Sequence, residues 1–196
     1  MRNNVMVPIH VIPGKRVGRL ELGMTQDEIL KAIYEMRVEW GDAGASDIEI
    51  IEDPEFDGLR CVRYMNWSSG IPFFFIVTFR NGEAVEIGIN RDVDSEKPVV
   101  YPVKEMQRLA LFQLPAELLV TYLKTFSDCI ADNDDELLSN EYVFPELGLK
   151  LWRENAFHSK LLLDREYMNM MGDMVTEEFG NVFFDIVKVM SVKGDV

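Results

Sequence analysis

Residues able to do chemistry are few in this 196-residue chain, and they stand apart from one another. Its two histidines, His10 and His158, lie at no ligand spacing from cysteine or acid, so no zinc site is expected. A general base needs a partnered, tuned environment, and His158, beside Phe157 in a poorly patterned stretch, reads as an ordinary surface histidine. Asp132-Asn133-Asp134-Asp135-Glu136 offers alternate oxygens, as a calcium loop does. It lacks the central glycine and the late bidentate glutamate, with Leu137 and Leu138 following instead, and reads as a solvated acidic helix terminus. Acids after a helix C-terminus oppose its dipole, a mild cost that leaves room for a binding role. Gly14-Lys15-Arg16-Val17-Gly18 lacks the strand, Gly-Lys-Ser/Thr ending and helix of a working phosphate loop. Ser68-Ser69-Gly70 has hydroxyls without a nucleophile elbow or an evident base, and reads as a turn. No reaction, cofactor or metal is expected from these residues.

The remaining surface chemistry suits another protein. Trp40, Trp67 and Trp152 fall in or near loops and strand ends, close to acids such as Glu39, Asp42 and Glu154. Aromatic anchors in charged surroundings are typical of binding patches. The candidate partner-binding set is therefore Trp40, Asp42, Trp67, Asp132, Asp134, Asp135, Glu136, Trp152 and Glu154. Thirty-four acidic against 20 basic residues leave a net charge of −14, a field that repels nucleic acid and anionic lipid and attracts basic partners. Cys61 and Cys129 lie far apart and read as small buried hydrophobes with no disulfide framework. Met1 to Pro8 has no long apolar core with a small-residue cleavage site, and no apolar run approaches membrane-spanning length. The expected location is the cytoplasm.

The elements that must position these residues are read from periodicity. Thr25 and Glu28 form a capping box that opens an amphipathic helix to about Arg37, with Ile29, Leu30, Ile33, Tyr34 and Met36 mostly on one stripe. Val5 to Ile12 reads as an edge strand or extended arm, because two prolines flank its apolar residues. Strands are expected at Ile48–Ile51, Leu59–Tyr64, Ile71–Phe79 and Ala84–Ile89, the last two joined at Asn81-Gly82, a pair suited to a type I′ turn. Arg91 to Pro102 reads as a connection, and a second helix runs from near Pro115 to about Ile130 with Leu118, Leu119, Tyr122, Leu123 and Phe126 inward. Strands Glu141–Phe144 and Leu149–Trp152 follow, then an illegible stretch from Phe157 to Glu178, read as either a short Met-rich helix around Glu166 to Met171 or an ordered loop, then a closing strand over Asn181–Val189.

These elements make an α+β protein with antiparallel sheet packed against helices. Two halves, residues 1–95 and 96–196, share the order helix then strands, as a tandem duplication packed into one globular unit would. One sheet running through both halves is the least costly cover for so much apolar surface.

Ile12-Pro13-Gly14-Lys15-Arg16-Val17-Gly18-Arg19-Leu20-Glu21-Leu22-Gly23-Met24-Thr25-Gln26-Asp27-Glu28-Ile29 resembles the opening of small uncharacterised bacterial proteins of the immunity-protein type, and Tyr142 to Arg153 resembles their second recurring phrase. The Gly-Met-Thr helix start is also similar to the repeat of β-lactamase inhibitor protein and of small outer-membrane assembly lipoproteins. The resemblance implies a non-catalytic cytoplasmic binding protein, an immunity protein that masks a co-encoded basic toxin. The alternative is a small-ligand-binding or regulatory module, marked by a deep apolar pocket between sheet and helix.

Overall fold

The computed structural model describes residues 8–39, 48–65, 74–91, 99–103 and 107–192. Strands β1 (Ile9–Ile12), β2 (Arg16–Val17) and β3 (Leu20–Glu21) lead into helix α1 (Gln26–Glu39). A meander follows: β4 (Glu49–Glu52), β5 (Leu59–Met65), β6 (Phe74–Arg80) and β7 (Glu83–Asn90). The order then recurs. Strands β8 (Val99–Val103) and β9 (Gln107–Ala110) lead into α2 (Ala116–Leu123), followed by β10 (Ile130–Ala131), β11 (Glu141–Phe144), β12 (Leu149–Trp152), a short helix α3 (Arg165–Met171) and β13 (Ile186–Met190).

The two meanders join into one antiparallel sheet of eight strands, ordered β10-β11-β12-β13-β7-β6-β5-β4. The last strand of each meander meets at the centre, with Lys188 opposite Gly88. Helix placement follows local chemistry. Thr25 N–H donates to Glu28 Oε2 at 2.8 Å and Glu28 N–H to Thr25 Oγ1 at 3.4 Å, the reciprocal box that starts α1. Asn81 (φ 53°) and Gly82 (φ 85°) turn β6 into β7 as the Asn-Gly pair requires.

One face of the large sheet carries the core. Val62, Tyr64, Phe75, Val77, Phe79, Ile87, Ile89, Phe144, Leu149, Leu151, Val187 and Val189 are buried there together with Ile29, Ile33 and Met36 of α1 and Ala116, Leu119, Val120 and Leu123 of α2. A second sheet, ordered β3-β2-β1-β8-β9, packs on the same side and is stitched to the first: Gly23 N–H donates to Ala84 O and Gly14 N–H to Gly148 O. Among the described residues, no helix is long and apolar enough to cross a membrane.

Several expectations are corrected. β1 is the middle strand of its sheet, because Pro8 and Pro13 bracket its four residues and leave every N–H within it free to pair; its match to β8 is parallel. The expected connection contains β8, whose Pro102 lies beyond the two residues paired with β1, where a missing N–H is tolerated; residues 92–98 lie outside the described set. The second helix stops at Leu123, where Thr125 Oγ1 donates to Tyr122 O at 2.7 Å and the chain tightens into a turn that leaves Phe126 exposed; Leu118 lies on the outer side of the helix, away from Leu119 and Leu123. Tyr34 likewise lies on the wet side of α1. The closing strand starts only at Ile186.

Candidate functional site

Strand β12 alternates strictly: Leu149 and Leu151 are buried, and the next residue in that phase is Arg153. A charged group thus enters the core side with 2% exposure. Its five N–H donors find five acceptors: Nε to Ser139 O at 3.0 Å, Nη2 to Leu137 O at 2.9 Å and Tyr142 Oη at 3.3 Å, Nη1 to Phe157 O and Asn181 O, each at 3.4 Å. The Tyr142 and Phe184 rings flank it at 5.9 Å. Burial lowers the guanidinium's pKa and raises that of the Tyr142 hydroxyl, which donates to Glu136 O. One side chain therefore gathers the acidic loop before β11 and both stems of the 157–181 excursion.

Beside it opens a cleft of about 260 Å³, walled by Val120, Leu137, Phe157, Phe179 and Val182, with Glu117, Glu136 and His158 among its polar groups. The rings of Phe157 and Phe179 meet edge to face at 5.5 Å, closing the excursion at its base. His158 is no ordinary surface residue. Its Nδ1 accepts Lys160 N–H at 3.1 Å, capping a 3-10 turn, which leaves the ring proton on Nε2, 3.0 Å from Glu117 Oε2 on α2.

The acidic run proves to be a loop and short 3-10 turn between β10 and β11, not a helix terminus, since α2 ends well before it. The opposing dipole inferred from sequence is thus absent. Asp132 Oδ1 accepts Asn140 N–H, and Asn133 Oδ1 accepts Asp135 N–H, each at 2.9 Å. Asp135 pairs with Lys160, a hydrogen bond that holds its carboxyl below the usual range, and Glu136 pairs with Lys124. Asp134 and Glu154 are exposed. Asn140 ties Glu154 to the loop by donating to Arg153 O at 3.0 Å and Glu154 O at 2.8 Å. The fold thus brings Asp132, Asp134, Asp135, Glu136 and Glu154 to one end of the molecule. Trp152 lies on the opposite face of β12 from Arg153, half-buried between Glu141 and Ile186. Trp40, Asp42 and Trp67, with Ser68-Ser69-Gly70, lie outside the described residues. No group of three or more potential metal ligands occurs among the described residues.

Both cysteines are free, and burial pushes their thiols up, Cys129 to about 11. A thiol with a raised pKa carries little thiolate near neutrality, so both are expected to react slowly with a disulfide reagent at pH 7.5 and rapidly once denaturant is added. Fast native labelling of Cys129 at that pH would contradict its shielding from solvent.

The uncovered face of the large sheet is also concave, a hollow of about 690 Å³ reaching from Phe56 to Lys188. Its centre is internally neutralised: Lys150 lies 3.6 Å from both Glu86 and Glu141, and Lys188 lies 3.7 Å from Glu86. Sequence reading missed Arg153, Tyr142 and Phe179. For Arg153 a signal existed, a charge in the inward phase of an apolar alternation. No family model, curated protein or solved structure matches the chain.

Proposed function

We propose that this chain is a non-catalytic, cytoplasmic protein-binding protein that covers a basic partner, as an immunity protein covers a co-encoded toxin domain. The observation that supports it is the acidic end of the molecule: Asp132, Asp135, Glu136 and Glu117 are fixed by Asn140 N–H, Lys160, Lys124 and His158, and the exposed Asp134 and Glu154 stand on the same loop and strand end that one buried arginine and Asn140 tie together. Six carboxylates against Lys124, Lys160 and Arg153 leave this end with a negative excess, and such a field steers an oppositely charged partner and suppresses wrong ones. Ionisable groups at this end are already committed to structural bonds, His158 to Lys160 N–H and Asp135 to Lys160 Nζ.

The test is binding of the toxin domain encoded beside this gene, measured by calorimetry at several salt concentrations. Tight association that weakens with salt, and a drop of about tenfold or more for Asp134→Lys with Glu154→Lys, is the expected result. No association, or association indifferent to both salt and charge reversal, overturns the reading. The cleft beside Arg153 supports a second reading, a small-ligand module, through its apolar walls and convergent polar tips. Its size, below the range usual for drug-sized ligands, favours one protein side chain over a free metabolite.

A further inference from the structure

Between Ser159 and Val182 the chain forms a 3-10 turn, α3 and a second 3-10 stretch, and none of these three elements contains a buried residue. That is unusual for their composition. The stretch holds Leu161, Leu162, Leu163, Val175, Phe179 and Met168, Met170, Met171 and Met174, four of the chain's eleven methionines. Leu163 is 88% exposed, Met170 70% and Met174 54%. Singly exposed apolar side chains need no explanation, but one segment that leaves Leu163, Met170, Met174 and Phe179 exposed and the rest of its apolar side chains at most half-buried marks an interaction surface. Methionine is suited to such a surface, because its unbranched, polarizable side chain adapts to a partner's shape.

The excursion is nevertheless held in place. Arg153 grips Phe157 O and Asn181 O, Phe157 meets Phe179 edge to face, and Asp164 caps α3 by accepting the N–H groups of Glu166 and Tyr167 at 2.8 and 3.1 Å. A surface fixed before the partner arrives loses less entropy on binding. The charges around it select the occupant. Asp164, Glu166, Asp173, Glu177 and Glu178 stand among the exposed Leu and Met residues against Lys160, paired to Asp135, and Arg165. A second copy of this chain brings the same carboxylates and is repelled, and an anionic membrane surface is repelled likewise.

We infer that the 159–182 excursion is the docking surface for a basic amphipathic segment of a partner protein, whose apolar side chains lie on Leu163, Met170 and Met174 and whose lysines and arginines meet the surrounding carboxylates. One apolar anchor of that segment enters the cleft between Phe157, Phe179 and Leu137. This rests on the reading of the chain as a binder of basic proteins and names where and how that binding occurs.

The experiment uses the full chain and a fluorescein-labelled leucine–lysine peptide patterned as an amphipathic helix, beside a scrambled peptide of identical composition and charge. Anisotropy should show the patterned peptide binding about tenfold or more tightly than the scramble, and the combined substitution Leu163→Ser, Met170→Ser and Met174→Ser should abolish that preference. Phe56→Ser, on the hollow of the uncovered sheet face, should leave it intact. The three replaced side chains are exposed, so melting temperatures should be nearly unchanged, which separates loss of docking from loss of fold. Equal binding of the two peptides, an unaffected triple variant, or loss of the preference in Phe56→Ser overturns the inference, as does firm partitioning of the chain onto vesicles containing phosphatidylserine. Failure here is distinguishable from failure of the broader reading. If the neighbouring toxin domain binds wild type and the triple variant equally, the docking surface is refuted and the binder reading stands; if the peptide preference holds and no toxin domain binds, the reverse is true.

Discussion

Arg153→Ala is expected to lower stability by about 4 kcal/mol, as much as truncating a large core side chain. Arg153 is 2% exposed, and its removal deprives the carbonyls of Leu137, Ser139, Phe157 and Asn181 of their donors. Each buried acceptor left unpaired costs about 1–3 kcal/mol, offset only where the loops relax. In a chain of this length a loss of that size lowers the melting temperature by roughly 10 °C. Arg153→Lys keeps the charge but offers three donors in place of five, so about half the loss is expected. Hydrogen exchange gives the sharper readout: amides from 157 to 182 should exchange faster in either variant before those of β6 and β7 do, because the arginine joins the stems of the excursion and not the central strands. If Arg153→Ala unfolds within about 1 kcal/mol of wild type, the arginine does not clamp the excursion to the sheet.

Gly148→Ala should cost about as much, roughly 3–4 kcal/mol, for a different reason. Gly148 ends the turn between β11 and β12 at φ +60°, a conformation that costs an L residue about 1–2 kcal/mol. An added Cβ would also fall 2.3 Å from Met190 O and 2.8 Å from Gly14 Cα, both backbone atoms that cannot step aside. This is the point at which the small sheet meets the end of β13: Gly148 O accepts the N–H groups of Gly14 at 3.2 Å and Met190 at 2.9 Å. Gly82→Ala supplies the control. Gly82 has φ +85° with no atom within 4 Å of its Cβ position, so only the conformational cost of about 1–2 kcal/mol should appear. Urea denaturation of the two variants separates the contributions, and equal losses would show that the close approach at Gly148 carries no energy of its own.

These effects bear on binding through the same parts. Arg153 holds the acidic loop and the 159–182 excursion in one arrangement, so loosening it should weaken any partner that needs both surfaces at once, even at temperatures where the sheet remains folded.

What the residues alone determined was whatever depends on neighbours in the chain. The Thr25/Glu28 box, the Asn81-Gly82 hairpin and the alternation of β11 and β12 all follow from local hydrogen bonding, positive φ and period, and all were legible, whereas the stretch holding the short helix over Arg165–Met171 was not. The α+β class followed from their order. Tertiary structure alone decided the rest. That β7 meets β13 at the sheet centre, that β1 pairs in parallel with β8, and that Leu118 and Phe126 face water depend on contacts between segments far apart in the chain, which no local period encodes. The candidate site divides along the same line. Its acidic residues were visible as composition, but the arginine that ties their loop together emerges only once distant backbone carbonyls converge on one guanidinium, and the exposure of Leu163, Met170 and Met174 only once the rest of the chain has packed elsewhere. Burial is a property of the packed whole, and a side chain's sequence neighbours do not specify which of its faces the rest of the chain will cover.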